Sequence, residues 1–176
     1  MTGDPRDAKD LRTPRLLLRE VQLDDAEALL LVRSDPEAAG RFGAEPFRDR
    51  EQVESWIRDY RQGREKGSAL MWAMVERSSG TVIGECCLWN IDPQVHRAEL
   101  GVELRPDRWH QGLAREALVE MIAFGFQALG LHRIEADHLE GNLPSQRLLA
   151  GLGFRLEGTL RDRHKVDGRV VDELRY

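Results

Sequence analysis

The sequence predicts an α+β fold: a mixed, mostly antiparallel central sheet of about six to seven strands with helices on both faces. Three observations carry this. Runs with the two-residue period of strands and runs with the 3.6-residue period of helices follow one another without any repeat or low-complexity stretch. A strand-like run at 98–104 ends at Pro106, and after a short polar turn Gly112 opens a strongly apolar helical pattern. The 176 residues, 41% hydrophobic and 32% charged, suit one domain with a sizeable core.

Residues 1–10 read as a solvated tail and 11–176 as the single domain. The run 15–21 is strand-like, and Asp24 can cap a helix carrying Ala26, Leu29, Leu30 and Val32. Asp49 with Gln52 gives a capping-box-like start to a second helix, where Val53, Trp56, Ile57 and Tyr60 share a face. Residues 70–75 and 81–89 read as a hairpin joined at Ser79-Gly80. A strand at 97–104, a helix at 112–129, a strand at 131–138 and a helix at 142–151 follow. The last element is a hairpin pairing 154–159 with 170–174 through Asp167-Gly168.

The strand, turn and helix around Gly112 have a chemical meaning. The first N–H groups of a helix lack internal partners and point beyond its N-terminus, where the helix dipole also attracts anions. Gly112 permits close backbone approach, and Arg108, His110 and Arg115 add charge. The turn lacks the Gly-Lys-Ser/Thr of a nucleoside-triphosphate loop and the three spaced glycines of a dinucleotide site. The expected ligand is some other phosphorylated molecule.

Trp109-His-Gln-Gly-Leu-Ala114 resembles the (Gln/Arg)-x-x-Gly-x-(Gly/Ala) pyrophosphate loop of the GCN5-related N-acetyltransferases (GNAT), with Trp109 in place of the usual Gln or Arg. Continued through Glu116-Ala117, it is similar to the version in the ribosomal-protein N-terminal (RimJ/RimL-like) acetyltransferase branch. A second block, from Asn142-Leu-Pro-Ser145 through Leu152-Gly-Phe154 to Glu157-Gly158, resembles that family's last conserved motif at the expected distance. The resemblance runs from about residue 11 to the end of the chain. It implies the GNAT fold, acetyl-CoA as cosubstrate and no metal. Cofactor contacts are implied at Leu104, Trp109, His110, Gln111, Gly112, Leu113, Ala114, Arg115, Asn142, Ser145 and Arg147. The implied reaction is acetyl transfer to a primary amine by direct attack, with a protein N-terminal amine as acceptor. Small-molecule amines, polyamine or antibiotic, are the alternative within the class. A non-catalytic acyl-CoA-binding sensor is the alternative outside it.

Two carboxylates compete as the base that deprotonates the amine. Glu99 lies ten residues before Trp109, where the histone-acetylating branch carries its general base. Glu85 lies in an otherwise apolar strand run, where burial would raise its pKa. The family's usual thiolate-protonating tyrosine position is Leu149 here, so Ser145 becomes the candidate at the sulfur. Asn142 reads as an N-cap with Pro144 in the first turn. His164, just before the last hairpin turn, lies on a segment that in this branch approaches the acceptor.

Composition narrows the rest. A net charge of −5 argues against a general nucleic-acid binder. No apolar run reaches the roughly 18–20 residues of a membrane span, and residues 1–6 have no signal-peptide core. Cys86 and Cys87 have neither metal spacing nor a plausible disulfide partner, which fits buried thiols and a cytoplasmic location. Nothing in the sequence separates a monomer from a homodimer.

Overall fold

The strand at 131–138 is where the architecture turns. In a computed structural model describing residues 3–166 and 168–176 it divides into two pieces that join different sheets. One sheet holds β1 (Leu11–Arg12), β2 (Leu16–Glu20), β3 (Leu70–Glu76), β4 (Thr81–Asp92), β5 (Arg97–Leu104) and β6 (Arg133–Glu135), in that order. Its neighbours are antiparallel except β5 and β6, which run parallel over three residue pairs ending at Glu99 and Glu135. The chain then bends at Ala136, which exchanges both backbone hydrogen bonds with Tyr176 (3.1 and 2.9 Å). Next, β7 (Asp137–Leu139) joins β9 (Arg169–Arg175) and β8 (Gly158–Val166) in a separate three-stranded sheet. The expected sheet of six to seven strands is therefore six plus three, and β5 and β7 part like a wedge beyond Glu99.

Both faces of the larger sheet are covered, as the sequence predicts. Leu16, Leu18, Leu70, Trp72, Met74, Cys86 and Leu88 pack on α4 (Leu113–Gln127) through Leu113, Ala117, Leu118 and Met121, and on α5 (Leu143–Gly151) through Leu149. Met71, Ala73, Val75, Val82 and Cys87 face α1 (Ala26–Arg33) and α3 (Arg50–Glu65) through Ala26, Leu29, Val32, Val53 and Ile57. A short α2 (Pro36–Gly40) follows α1. The adjacent thiols Cys86 and Cys87 are both buried, one on each face.

A β-bulge in β4 sets this alternation. Val75 pairs with Val82 and Met74 with Gly84, so Ile83 is an extra residue. Gly84 must be glycine there, because a Cβ would lie 2.2 Å from the Glu103 carbonyl oxygen.

Three local expectations need correction, and a fourth gains detail. The first helix is entered through Asp25 rather than Asp24: the Asp25 carboxylate accepts from the Gln22 amide (2.8 Å) and from Arg19. The 3–10 segment is exposed but held, with Gly3 N–H donating to Ala128 O (2.8 Å) and Arg64 to Ala8 O (2.6 Å). These bonds lay the solvated segment along α3 and the end of α4. The second helix does begin with Asp49 accepting from the Gln52 amide (2.9 Å), but the Gln52 side chain accepts from Arg48 and not from its cap. The last hairpin reaches to Val166, and its register breaks around Asp162, a left-handed residue at φ 54°. β8 is almost wholly exposed, so no apolar period marked its length. Asp167, expected in the turn, lies outside the described residues.

Candidate active site

The phosphate loop is built as the sequence implies. Pro106–Arg108 form one tight turn after β5, and Trp109 is anchored by its indole N–H donating to Leu104 O (2.8 Å). Arg41, just past α2, stacks over the Trp109 ring at 3.7 Å. His110 and Gly112 take left-handed conformations (φ 59° and 76°). Gly112 is the N-cap of α4 and offers no capping side chain, so the first amides of the helix are left for a ligand. Glu116 ties the loop to the sheet. Its carboxylate accepts from Thr13 Oγ1 (2.5 Å), the Arg15 amide (2.8 Å) and Arg15 Nε (2.7 Å), while Arg15 also donates to Gln111 O (3.0 Å). Burial alone would raise the Glu116 pKa; these donors outweigh it and hold the carboxyl below its usual range.

This loop opens on a groove of about 280 Å³, lined by Val102, Leu104, Trp109, His110, Gly112, Leu113, Ala114, Pro144, Ser145 and Leu148, with Arg108, Arg115 and Arg147 among them. Largely apolar walls with four arginines, Arg41 included, and a bare helix start fit a thiol-bearing arm that carries phosphates. Arg108 Nε is buried without a hydrogen bond, although Glu76 lies 3.5 Å away. Of the residues expected at the cofactor, Gln111 turns back to donate to Asp107 O (3.0 Å). Asn142 is buried behind the groove. It accepts from the Ser145 amide (3.2 Å), as an N-cap should, and donates to Arg41 O (3.2 Å), joining α5 to the end of α2.

A second cavity, about 170 Å³, lies in the wedge between β5 and β7. It shares Phe42, Val102, Glu103, Ser145 and Leu148 with the groove, so the two meet there. Its polar lining is Arg33, Tyr60, Glu85, Glu103 and Asp137. Glu85 and Glu103 are direct cross-strand partners, and a single nitrogen, Arg33 Nη2, lies 3.2 Å from one carboxylate and 3.1 Å from the other. Arg33 is itself stacked on Trp56 (3.7 Å) and Phe47 (5.2 Å). Burial pushes both carboxyls up despite Arg33, Glu103 to about 7. Burial likewise raises Asp137, with Glu173 adding to it.

Of Glu85, Glu103 and Arg33 the sequence singles out Glu85 alone, and neither Glu103 nor Arg33 carries a motif that marks it. The sequence also marks no phenol for the site. Tyr60 does line the second cavity, its hydroxyl 3.5 Å from Cys87 Sγ, with burial holding it neutral. Glu99 lines neither cavity. It lies four residues back along β5, where the Asn90 side chain donates to one oxygen (3.0 Å) and Arg175 approaches the other (3.5 Å). His164 pairs with Glu173 (2.6 Å), which also binds Arg175. Leu149, at the expected tyrosine position, is buried against the cavity. Among the described residues no group of three or more His, Cys, Asp or Glu is placed to hold a metal, and no helix is long and apolar enough to cross a membrane.

A groove with arginines and a bare helix start thus meets a carboxylate-lined cavity where the sheet splays between β5 and β7. Residues 15–155 match the acetyltransferase (GNAT) domain model, and the chain belongs to that family of N-acetyltransferases. It is 38% identical over 162 residues to an uncharacterized N-acetyltransferase, p20, of Bacillus licheniformis, spanning 92% of this chain and 91% of that one. Among solved structures it is similar to Mycobacterium smegmatis RimJ in complex with CoA-disulfide (30% identity, TM-score 0.80, 94% and 83% of the two chains). It shares its fold with the Vibrio cholerae spermidine N-acetyltransferase complexed with CoA and spermine (21% identity, TM-score 0.82, 92% and 93%). The resemblance to the RimJ branch noted from the motifs holds.

Proposed function

We propose that this N-acetyltransferase moves the acetyl group of acetyl-CoA to the α-amine of a protein N-terminus, in the cytoplasm and by direct attack within a ternary complex. The observation that carries the reading is the meeting of an arginine-bearing, helix-capped groove with a carboxylate-lined cavity at Val102, Glu103 and Ser145. The amides at the start of α4, with Arg108, Arg115 and Arg147, hold the phosphates. Leu104, Trp109, His110, Leu113 and Ala114 flank the arm, and Gln111 and Asn142 support its walls. Beyond Glu99 the β6 side of β5 has no strand partner among the described residues, so its backbone can align the pantetheine and stabilise the oxyanion. Ser145 donates to the departing sulfur. Glu85 supplies negative charge to the acceptor cavity, and Glu99 orders Arg175 behind it.

The acidic cavity, together with the fold shared with a spermidine acetyltransferase, favours a polyamine as the second reading. Acetyl-CoA-dependent thiol release separates the two. Peptides with different N-termini and spermidine are each supplied as acceptor, with cofactor binding followed by calorimetry. Release with one peptide class and not with spermidine supports the N-terminal reading; release with spermidine alone replaces it.

A further inference from the structure

We propose that the acceptor enters as its ammonium ion and gives its proton to Glu103, a carboxylate held at the junction of the two cavities by Arg33. This rests on the acetyl-transfer reading above and adds to it the identity of the proton acceptor.

Glu85 and Glu103 stand side by side across two strands, a pairing that is unfavourable for like charges unless something lies between them. Arg33 supplies one positive charge for two carboxylates, from a nitrogen about equally distant from both. The second oxygen of Glu85 is buried and accepts no hydrogen bond among the described residues. The pair is one cation short, and the cavity it lines is where a guest would bring that cation. Glu85 borders only the acceptor cavity, whereas Glu103 borders both cavities. Glu103 is therefore the carboxylate nearest the place where amine and thioester meet.

The titratable and charged groups that share a cavity with Glu103 are Arg33 from α1, Glu85 and Cys87 from β4, Tyr60 from α3 and Asp137 from β7, and on the groove side Arg41, Arg108, His110, Arg115 and Arg147. Cys87 and Tyr60 are kept neutral by burial. With its carboxyl lifted to about 7, Glu103 is a stronger base than an ordinary glutamate and closer to an N-terminal amine at about 8. The ammonium passes one proton to Glu103, and the freed nitrogen lone pair attacks the thioester carbonyl carbon. A C–N bond forms, and the C–S bond breaks with its electron pair leaving on sulfur. The second nitrogen proton ends on the thiolate, and Glu103 returns its own proton to solvent.

The test is the pH dependence of kcat/KM between about pH 5.5 and 10, with an Ala-initiated peptide and with spermidine as probes. For the wild-type protein the profile should rise through about 7 and fall above the probe's own pKa, because the ammonium form is the one captured. Glu103→Gln should lower kcat about 100-fold while acetyl-CoA binding by calorimetry is retained. Its residual rate should rise only through the amine's own pKa, about 8 for the peptide. Glu103→Asp keeps a carboxylate and should recover part of both kcat and the lower limb, and it stands in if the glutamine variant does not fold. Arg33→Met should move the lower limb to higher pH, a change that loss of packing alone would not produce. Wild-type kcat and an unchanged profile in Glu103→Gln overturn the assignment. A wild-type protein that binds acetyl-CoA yet acetylates neither probe nor any peptide of the panel overturns the acetyl-transfer reading itself, and this inference with it.

Discussion

The groove at the start of α4 and the cavity between β5 and β7 meet at the same residues but are made of different materials. The groove's turn is set by backbone, with a left-handed Gly112, the bare first turn of α4 and a tryptophan pinned to the end of β5 within about a dozen consecutive residues, and most of its charged side chains are arginines. The cavity's polar surface is side chain, gathered from α1, α3, β4, β5 and β7, and its charges largely face one another. A ligand with fixed phosphates can be held by local backbone geometry. The cavity's charge balance is set by packing among five separate elements, whereas the groove's turn is local and is tied to the rest of the fold through Glu116 and Arg41.

This contrast can be broken in order of expected effect. Gly84→Ala should be the most damaging, because the new methyl would meet the Glu103 carbonyl at 2.2 Å and the strand has to move. We expect a loss of about 3 kcal/mol in denaturant unfolding, with acetylation reduced in whatever protein remains folded. Gly112→Val should act on the groove alone. A β-branched residue at φ 76° costs roughly 1–3 kcal/mol, so calorimetry should show acetyl-CoA affinity lowered at least about tenfold while far-UV circular dichroism stays native. Unchanged affinity would remove Gly112 from the cofactor site.

Ser145→Ala probes the seam between the two. Turnover should fall about tenfold, as for loss of one hydrogen bond to a charged group, with the cofactor Kd nearly unchanged; equal turnover would leave Ser145 with a purely local role in the first turn of α5. The smallest effect should be one of stability. Glu103 is lifted from 4.5 to about 7 in the folded protein, so folding favours its protonated form. That contribution is fully present below about pH 4.5 and is lost as the pH rises through about 7. Glu103→Gln, permanently neutral, should melt like the wild type at pH 5 and about 2–6 °C higher at pH 8. Identical melting shifts at both pH values would mean that the carboxylate carries no such strain.

What was legible in the sequence follows the same division. The strand, the glycine and the helix around Gly112 are neighbours in the chain, as are Asn142 and the Ser145 amide it caps, so both could be read directly. The carboxylates could not be sorted that way. Glu99 and Glu103 lie on the same face of β5, and only their distance from the point where β6 stops pairing separates them. That point depends on the bend at Ala136, which no residue near Glu99 announces. Arg33 looks like an ordinary cation in the last turn of a helix. Its partners lie 52 and 70 positions away, on strands whose register is shifted by irregularities at Ile83 and around Asn90. Arg41 and Phe42 sit in a segment without a period to read, between two helices.

The extra residue in β4 has a consequence for how this chain tolerates change. In a regular strand the side of the sheet a residue faces is fixed by odd or even position, and Ile83 resets that count. Val82 and Glu85, three apart, consequently face the same way. Deleting one residue here would restore the simple count and exchange the two faces over the rest of the strand. Glu85 would be turned toward α4 and its leucines, and Cys86 toward the guanidinium. The reading frame of acid and hydrocarbon along β4 thus hangs on a single inserted position, and length variation, tolerated in a loop, would here turn the site inside out.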